Sequence, residues 1–405
     1  MNRENLNYFK YAIIGGGASG LSLSIKLADK FGGKNVCLFE MQDRVGKKLL
    51  TTGNGQCNLT NLDLDLGHFH GEFSNYFDKI ITSDAHKEIT DFFKGLGVLT
   101  CAEASKIYPL SKQASSIVDA LRFKIQALNV KTFLNTQIVQ LSNENGTFIL
   151  RSINGETFKA ENVIVAVGGN SYKSTVSPYS LLENLGHKTT KLYPSIVQLK
   201  TELSEIKGLK GLKQRAKITA LINGKEVANS TGDILFTDYG VSGNAVFYLS
   251  SYLIGKQKAT LSVDFCPELS FSELVKFIKN KQENCSYLSG EYLLSGIMNN
   301  KIAQAVIRNG AFSNIQSSIL HFDAESVAKA VKNYVLTVTG SLGYDMAQVT
   351  KGGIKVNEFD SVTLESKIVK NLYATGEVLD VDGDCGGYNL TWAFLSAFAV
   401  AKNVK

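Results

Sequence analysis

Three glycines with the spacing GxGxxG are the residues of this 405-residue chain that point most directly to chemistry: Gly15, Gly17 and Gly20. They follow an apolar run at 11–14 and precede a helical pattern at 18–30. In such a strand, turn and helix, the first glycine permits the turn, the second admits a pyrophosphate, and the third lets helix and strand pack closely. The free amides and positive dipole end of the helix then bind the phosphates.

A carboxylate completes this half-site. The apolar run 35–39 ends in Glu40, twenty residues after Gly20, where an acidic side chain accepts hydrogen bonds from a ribose. A glycine triplet alone also occurs in ordinary tight turns. Here strand, turn, helix, second strand and carboxylate occur in order within about thirty residues, which is the context that the motif requires. The sequence therefore predicts a bound dinucleotide.

A polar, glycine-rich loop follows Glu40. It carries Lys47 and Lys48, and Gly53 and Gly55 lie a few residues further on. Backbone amides in such a loop can turn toward one anion or one electron-rich ring edge, and the lysines add positive charge. A mobile surface loop is the alternative. We favour a cofactor-lining role because the loop directly follows the ribose carboxylate.

Glycines also end two distant apolar runs. The run 162–167 leads into Gly168 and Gly169, which suits a second close approach of backbone to the dinucleotide. The run 372–375 leads into Gly376 and Glu377, which would put a carboxylate against sugar or ribityl hydroxyl groups.

A second predicted helix begins shortly after Glu377 in the chain. The segment 386–389 opens an apolar helical pattern at 390–402, and its free amides can stabilise the negative charge of a reduced flavin. A half-site at one end of the chain and a helix start some 370 residues later suit an extended cofactor. The sequence therefore predicts FAD rather than NAD.

Composition is that of a globular protein with two or three structural units. The hydrophobic content is 44%, and the net charge of +6 is modest. The densest basic group lies at 207–217. We interpret it as a solvated loop, with a patch for an anionic substrate or nucleic acid as the alternative.

Targeting and metal signals are weak throughout the sequence. The segment 1–10 is polar, and no apolar run approaches the roughly twenty residues that span a bilayer, so we expect a cytoplasmic protein with no membrane partner. The six cysteines show no CxxC and no histidine-flanked spacing. That pattern predicts reduced thiols and no metal site.

The pattern changes between about 193 and 334. Short alternating strands, with a hairpin signal at Asn223–Gly224, give way to helical periodicity from 270 onward. We interpret this stretch as an inserted unit, part antiparallel β and part helical. No second GxGxxG occurs, so a nicotinamide cofactor would dock transiently at the flavin face. An NAD(P)H-fed reductase and an oxygen-using oxidase both remain open.

Together these motifs resemble the FAD-dependent flavoprotein family that includes aminoacetone oxidase and bile-acid 3-dehydro-reductase-type NAD(P)/FAD-dependent oxidoreductases. The segments that carry the resemblance are 13–21 with Glu40, 46–61, 235–246, 348–354 and 372–394.

The resemblance implies an α/β fold in which a Rossmann-type, glutathione-reductase-like FAD-binding domain is interrupted by an inserted substrate domain. The FAD-binding domain is expected at 1–190 and 340–405. The inserted domain, 191–339, is expected to have a β-barrel-like part at about 191–267 and a helical part at about 268–335.

The resemblance also implies cofactor contacts. The first glycines and Glu40 are assigned to the ADP half, the backbone of Ile138 to adenine, and Gly376 and Glu377 to the ribityl chain. No catalytic residue and no metal ligand is assigned. The full set of predicted cofactor-binding residues is Gly15, Gly17, Ala18, Ser19, Glu40, Met41, Lys47, Lys48, Thr52, Gly53, Gly55, Gln56, Cys57, Asn58, Ile138, Gly168, Gly169, Gly376, Glu377, Gly386, Gly387, Tyr388, Asn389 and Leu390.

Two residues in this set raise separate questions. The family more often has arginine where this chain has Gln56, which weakens the share of that loop in phosphate binding. Cys57 and Cys385 both lie in the expected flavin surroundings, so a thiol redox pair is one hypothesis and two independent small residues the other.

The function implied first is NAD(P)H-linked reduction of a small organic substrate. The alternatives are an oxygen-using amine oxidase of the aminoacetone oxidase type and an FAD-dependent RNA-modifying or RNA-binding flavoprotein. The basic segment 207–217 lacks the aromatic residues of a single-strand binding surface, so no nucleic-acid partner is expected. Substrate identity, NADH against NADPH, and oligomeric state stay open.

Overall fold

The computed structural model describes residues 7–72, 76–171, 176–310 and 314–405. Most of the polar N-terminal segment, residues 1–6, lies outside these ranges. The chain divides into two compact units, one formed by 1–193 with 348–405 and the other by 194–347. The sequence-based boundaries were 190 and 339.

The described residues form ten α-helices. They are α1 (Ala18–Phe31), α2 (Lys47–Thr51), α3 (Ala85–Gly95), α4 (Ala114–Ala127), α5 (Ser180–Glu183), α6 (Asn244–Leu253), α7 (Phe271–Asn284), α8 (Asn300–Asn309), α9 (Ala324–Lys332) and α10 (Tyr388–Asn403).

The same residues form twenty strands. They are β1 (Tyr8–Ile14), β2 (Val36–Phe39), β3 (Thr60–Asn61), β4 (Phe69–His70), β5 (Thr100–Glu103), β6 (Lys106–Pro109), β7 (Lys131–Phe133), β8 (Ile138–Glu144), β9 (Thr147–Ser152), β10 (Thr157–Val165), β11 (Tyr193–Ser195), β12 (Leu199–Thr201), β13 (Lys213–Ile222), β14 (Lys225–Phe236), β15 (Gly240–Ser242), β16 (Ala259–Asp264), β17 (Tyr334–Ser341), β18 (Val349–Lys351), β19 (Leu372–Ala374) and β20 (Asp382–Gly383).

The first unit is built on a seven-stranded sheet. Its order is β7-β2-β1-β10-β9-β8, and β19 also pairs with β10. The pairs of β1 with β2 and β10, of β2 with β7 and of β10 with β19 are parallel. The carboxyl ends of these strands therefore meet at one edge, where ligands of open α/β sheets bind.

Burial explains the central strands. All four residues of β2 are buried, and so are the last four of β1, because helices cover parallel sheets on both faces. Helices α1 and α10 pack against each other. The core includes Trp392, which is 1% exposed, and its indole Nε1 donates to the carbonyl of Gly376 at 3.0 Å.

Strand β7 does not belong to the antiparallel part of this sheet. It pairs in parallel with β2. The reason is that α4 precedes β7, so the chain makes a strand–helix–strand crossover before the antiparallel strands β8 and β9 begin.

The second unit contains a closed antiparallel barrel. Its strand order is β12-β15-β14-β13-β16-β17, and β12 pairs with β17 to close it. The predicted hairpin at Asn223 and Gly224 joins β13 to β14, with positive φ angles of 51° and 76°. Positive φ angles at both turn residues are typical of a type I′ turn, whose twist matches that of the two flanking strands. Helices α7, α8 and α9 follow the barrel strand β16.

The core of this unit joins barrel and helices. Ile218 on β13, Leu261 on β16 and Val306 on α8 are each 0% exposed and belong to one buried cluster. Among the residues that the structure describes, no helix is long and apolar enough to cross a membrane.

Candidate cofactor site

The three glycines of the first turn have different surroundings. A Cβ on Gly15 would lie 2.3 Å from the carbonyl oxygen of Ala166, and one on Gly20 would lie 1.8 Å from that of Gly15. Both positions therefore exclude a side chain because backbones meet there. A Cβ on Gly17 would meet no described atom within 4 Å. Gly17 thus borders open space at the start of α1.

The N-termini of α1 and α10 have no side-chain caps among the described residues. Each follows a glycine, Gly17 or Gly387, and neither has an acidic residue in its first turn. In contrast, α7 begins with a full capping box formed by Ser270 and Glu273. The first amides of α1 and α10 are therefore available to anions or carbonyl oxygens.

Glu40 is held beside the first turn. Its two carboxylate oxygens accept hydrogen bonds from the backbone amides of Gly16 and Gln42, both at 2.9 Å. Burial raises the pKa of the carboxyl group, and these amides oppose the rise. The carbonyl of Glu40 accepts from the Thr136 amide at 2.9 Å. This contact brings the chain that leads into Ile138 next to the end of β2.

A second cluster joins four chain segments. Lys48 Nζ lies 2.7 Å from Glu377 Oε2 and 2.6 Å from Ser171 Oγ. The other oxygen of Glu377 accepts from the Thr350 amide at 2.7 Å. A Cβ on Gly169 would lie 2.8 Å from that same oxygen. Lys48, the second glycine pair and Glu377 are therefore neighbours.

Lys47 has different partners. Its Nζ lies 2.5 Å from Asp43 Oδ1 and 3.2 Å from Gln42 Oε1. Met41, which lies between Glu40 and Gln42 in the chain, is half-buried. The structure therefore separates the two lysines that the sequence grouped.

The glycine-rich loop reaches the start of α10. Gly53 and Cys57 have positive φ angles of 56° and 57°, so the chain turns sharply twice. A Cβ on Gly387 would lie 2.8 Å from Asn58 Oδ1, which is buried and has no hydrogen-bond partner among the described residues. Gln56 is exposed.

Further contacts hold the loop in place. Asn61 Nδ2 donates to the carbonyl of Gly386 at 2.9 Å, and Thr391 Oγ1 donates to Thr60 Oγ1 at 2.8 Å. Asn389 bonds to both the amide and the carbonyl of Gly383, at 2.8 and 2.7 Å. Its side chain is thereby turned back into the protein.

The remaining predicted residues complete the first turn, the loop and the start of α10. Ser19 Oγ donates to Thr375 Oγ1 at 2.6 Å, beside Gly376. Thr52 Oγ1 donates to the Leu49 carbonyl at 2.7 Å, and Leu390 packs against the core. Ala18 begins α1.

The two predicted flavin-side cysteines are free thiols. Burial raises the pKa of Cys57 to about 11 and also raises that of Cys385. A thiol is nucleophilic as the thiolate, and these environments disfavour that form. Both thiols are therefore held in the protonated form, which does not favour a thiol redox pair.

The sequence analysis missed a polar cluster beside α10. His68 Nδ1 and His70 Nε2 contact the two oxygens of Asp384, at 3.1 and 2.8 Å. Tyr388 stacks on His68 with ring centroids 4.4 Å apart. The sequence signal was the alternation His-x-His at 68–70 and Asp-x-Asp-x-Asp at 380–384, because alternate residues of paired strands share a face.

A cavity of about 610 Å³ lies next to this cluster in the first unit. Its wall combines apolar, basic and acidic side chains. The residues that line it include Leu66, Phe69, His70, Lys191, Lys351 and Asp380.

These features fit FAD on three observations of the structure. Space is open at Gly17, two helix N-termini present uncapped amides, and Asn58 Oδ1 is an unpartnered buried acceptor. A Rossmann-type sheet with such ends defines a dinucleotide-binding protein of the flavoprotein class.

The family is shown by the sequence comparison. A family model described as HI0933-like protein Rossmann domain matches residues 9–403, and the chain belongs to this family. The protein is an FAD-dependent oxidoreductase, as the sequence analysis predicted. The predicted α/β fold with an inserted barrel is also confirmed.

Several named proteins resemble the chain. It is 34% identical to the 3-dehydro-bile acid delta(4,6)-reductase of Clostridium scindens, over 97% of this chain and 98% of the relative. It is 29% identical to the ribosomal RNA dihydrouridine synthase of Haemophilus influenzae, over 98% of each. A 3-ketosteroid-delta4-(5alpha)-dehydrogenase structure from Rhodococcus jostii has a TM-score of 0.49 and 11% identity, over 99% of this chain and 98% of that one.

Proposed function

We propose that this protein reduces a carbon–carbon double bond conjugated to a carbonyl group in a small organic substrate, with NAD(P)H as the transient electron donor. The observation that carries the proposal is the 34% identity, across nearly the whole chain, to a reductase named for the delta(4,6) double bonds of a 3-dehydro bile acid.

The other relatives support the same bond chemistry. Dihydrouridine differs from uridine by saturation of one ring double bond, which is conjugated to a ring carbonyl. Two relatives named ribosomal RNA dihydrouridine synthase match 98% of this chain at 29% and 28% identity. A shared reaction on unlike substrates fits a conserved flavin site with a different recognition surface.

The proposal assigns the cofactor to the predicted residues. The open space at Gly17 and the amides of α1 hold the pyrophosphate, and Glu40 contacts the ribose of the ADP half. The amides of α10 stabilise negative charge at the pyrimidine edge of the ring system, next to Asn58. Bound FAD supplies hydride transfer, so the protein has only to bind, orient and protonate the reacting groups.

The cavity supports a small substrate. Its volume of about 610 Å³ lies within the 300–1,000 Å³ that is typical of small-molecule pockets, and Leu66 and Phe69 offer apolar contact. His70 and Lys351 on its wall can donate hydrogen bonds to a carbonyl oxygen. A polarised carbonyl makes the conjugated carbon a better hydride acceptor.

The test is anaerobic reduction and reoxidation of the purified yellow protein. NADH or NADPH should bleach the flavin absorbance, and 4-androstene-3,17-dione or another cyclic enone should restore it with loss of the enone absorbance. The proposal fails if neither nicotinamide bleaches the flavin, or if no enone reoxidises the bleached protein.

An RNA uridine is the second candidate substrate. Two relatives named for ribosomal RNA favour this candidate. A row of exposed basic side chains on β13 also favours it: Lys213, Arg215 and Lys217. Lys213 already pairs with Asp233 at 2.7 Å, which reduces the charge available to phosphates. Salt-sensitive RNA binding in a gel shift, together with uridine-dependent reoxidation, would favour this candidate over a free small molecule.

The amine oxidase alternative predicts a different pattern. An amine such as aminoacetone would bleach the flavin anaerobically, and air would restore the colour with release of hydrogen peroxide. Bleaching by an amine without bleaching by NAD(P)H would replace the reductase proposal with the oxidase one.

A further inference from the structure

Carboxylates and imidazoles alternate from the surface to the interior of the first unit. The outermost is Asp63, whose side chain is 71% exposed, and His68 next to it is 31% exposed. Asp384 is 3% exposed and His70 is 21% exposed. Asp382, at the inner end, is 1% exposed.

Short distances join the first four of these groups. Asp63 Oδ2 lies 3.5 Å from His68 Nε2, and His68 Nδ1 lies 3.1 Å from Asp384 Oδ2. Asp384 Oδ1 lies 2.8 Å from His70 Nε2. Each imidazole can take a proton on one ring nitrogen and release one from the other. The carboxylate of Asp384 bridges the two rings.

The local fold brings the inner groups together. Strand β4 pairs antiparallel with β20, with His70 directly opposite Asp382, and the Asp384 amide donates to the His68 carbonyl at 2.9 Å. Directly opposite residues of such strands have Cβ atoms about 5 Å apart. Asp382 and Asp384 are two residues apart, so both side chains face His70.

Asp382 differs from the other acids of this cluster. Both of its carboxylate oxygens are buried without a hydrogen-bond partner among the described residues. Burial raises its pKa to about 6. The charges of Lys351 and His70 oppose this rise, and those of Asp380 and Glu377 add to it. The group can therefore hold and release a proton near neutral pH.

Of these five groups, His70 is the one that lines the cavity. His70 and Asp380 are on the cavity wall, with Lys351 beside them. Asp63 lies at the surface. The alternating groups therefore connect the surface to the cavity wall.

We propose that Asp63, His68, Asp384 and His70 form a proton relay from solvent to this cavity, and that Asp382, opposite His70 in the strand pairing, is the buried acid beside the relay. The inference rests on the proposed function. Reduction of a conjugated double bond adds a hydride to one carbon and a proton to the neighbouring carbon. The hydride originates from NAD(P)H, which leaves as NAD(P)⁺, and the proton comes through His70 and is replaced from solvent.

A purely structural role is the competing explanation, in which Asp384 only fixes β4 to β20. The two roles differ in proton coupling. In a relay, protons exchange between solvent and the His70 ring through Asp384, and an external acid can replace a missing member. A structural contact predicts neither effect.

The first test is NMR of the FAD-loaded protein with labelled histidine rings, recorded at a single pH. Asp384→Asn should slow the exchange of the His70 ring proton with solvent, because the route through His68 is interrupted. The ring-proton exchange of His187, which pairs with Glu358 at 2.9 Å elsewhere in this unit, should not change. Unchanged or faster exchange at His70, as a loosened contact between β4 and β20 would give, would overturn the relay.

The second test is kinetic. His70→Ala should lower the rate of enone-dependent flavin reoxidation by roughly a hundredfold, and added imidazole should restore part of that rate. His68→Gln should give a smaller loss that grows with pH and carries a larger solvent isotope effect. His86→Gln, which changes a partly exposed histidine of α3, should match the unaltered protein. Folded His70→Ala with no response to imidazole would refute proton delivery by this route.

The outcomes separate the two proposals. If the unaltered protein reduces no enone, the proposed function fails and the ring-proton exchange alone decides the relay. If enones are reduced but Asp384→Asn does not slow the exchange of the His70 ring proton, the relay fails and the reductase stands.

Discussion

Replacing Asp382 by asparagine should stabilise the protein above pH 6, although it changes a fully buried polar residue. The charged carboxylate has no donor among the described residues on either oxygen, so folding removes it from water without a replacement bond. Asparagine has nearly the same shape and carries no charge. The substitution should therefore remove a cost of folding that is present only when Asp382 is ionised.

The size of the effect follows from the pKa. Burial raises the value from 3.8 to about 6, and each unit corresponds to about 1.4 kcal/mol. A folded-state pKa above the unfolded one favours folding fully below pH 3.8, and this advantage is lost as pH rises through 6. The cost in the unaltered protein is then about 1.6 kcal/mol at pH 5 and about 3 kcal/mol at pH 8.

The assay is thermal unfolding of the apoprotein and of Asp382→Asn at pH 5 and pH 8. For a unit of this size, the advantage of the variant should grow by about 3 to 6 °C between these pH values. Asp360→Asn is the control, because the amides of Thr363 and Val362 donate to Asp360 at 2.8 and 3.0 Å and lower the pKa of its carboxyl group. Its effect on stability should therefore be the same at pH 5 and pH 8. A stability difference for Asp382→Asn that is the same at both pH values would refute the reasoning.

Three further predictions follow from single contacts. Gly17→Val should fold normally yet lose FAD absorbance, because a Cβ on Gly17 would meet no described atom within 4 Å. Gly20→Val should fail to fold, because its Cβ would lie 1.8 Å from the carbonyl oxygen of Gly15. Circular dichroism measures the folding of both proteins, and absorbance measures the bound FAD. Lys48→Met should weaken FAD binding roughly tenfold, or about 1.4 kcal/mol, in a fluorescence titration, since Glu377 loses its 2.7 Å ion pair, and Lys48→Arg should bind normally. Burial lowers the pKa of His187, so the stability it adds is present above pH 6.5 and is lost as pH falls; the advantage of the unaltered protein over His187→Gln in urea unfolding should shrink between pH 7.5 and pH 5.5.

The sequence was sufficient for the cofactor half-site because the requirement there is local. Gly15 and Gly20 are needed where one backbone touches another, and Glu40 ends the next strand in the same strand–helix–strand unit. Such contacts follow from spacing within about thirty residues. The start of α10 was also readable, since glycines before an apolar run mark an uncapped helix end.

The sequence was not sufficient for partners that lie far apart in the chain. Lys48 and Glu377 are 329 positions apart, and nothing in either local pattern states that they form an ion pair. The parallel position of β7 cannot be predicted for a similar reason, because the sequence of a short strand does not specify which neighbouring strand it pairs with. Pairing is decided by how the whole sheet packs.

The histidine–aspartate cluster could not be predicted because its strands are short and lie far apart in the chain. Its two strands are only two residues long each, β4 and β20, so hydrophobic alternation could not reveal them. Yet the polar residues alternate with period two on both, and pairing of His70 with Asp382 makes that alternation a continuous row of acids and bases. If the row were only a support for β4, a buried carboxylate with two unpartnered oxygens would be an unnecessary cost at its inner end. In a protein that delivers a proton to the cavity, a buried acid opposite His70 has a function. The pH dependence of Asp382→Asn measures how much the ionised carboxylate of Asp382 lowers the free energy of unfolding.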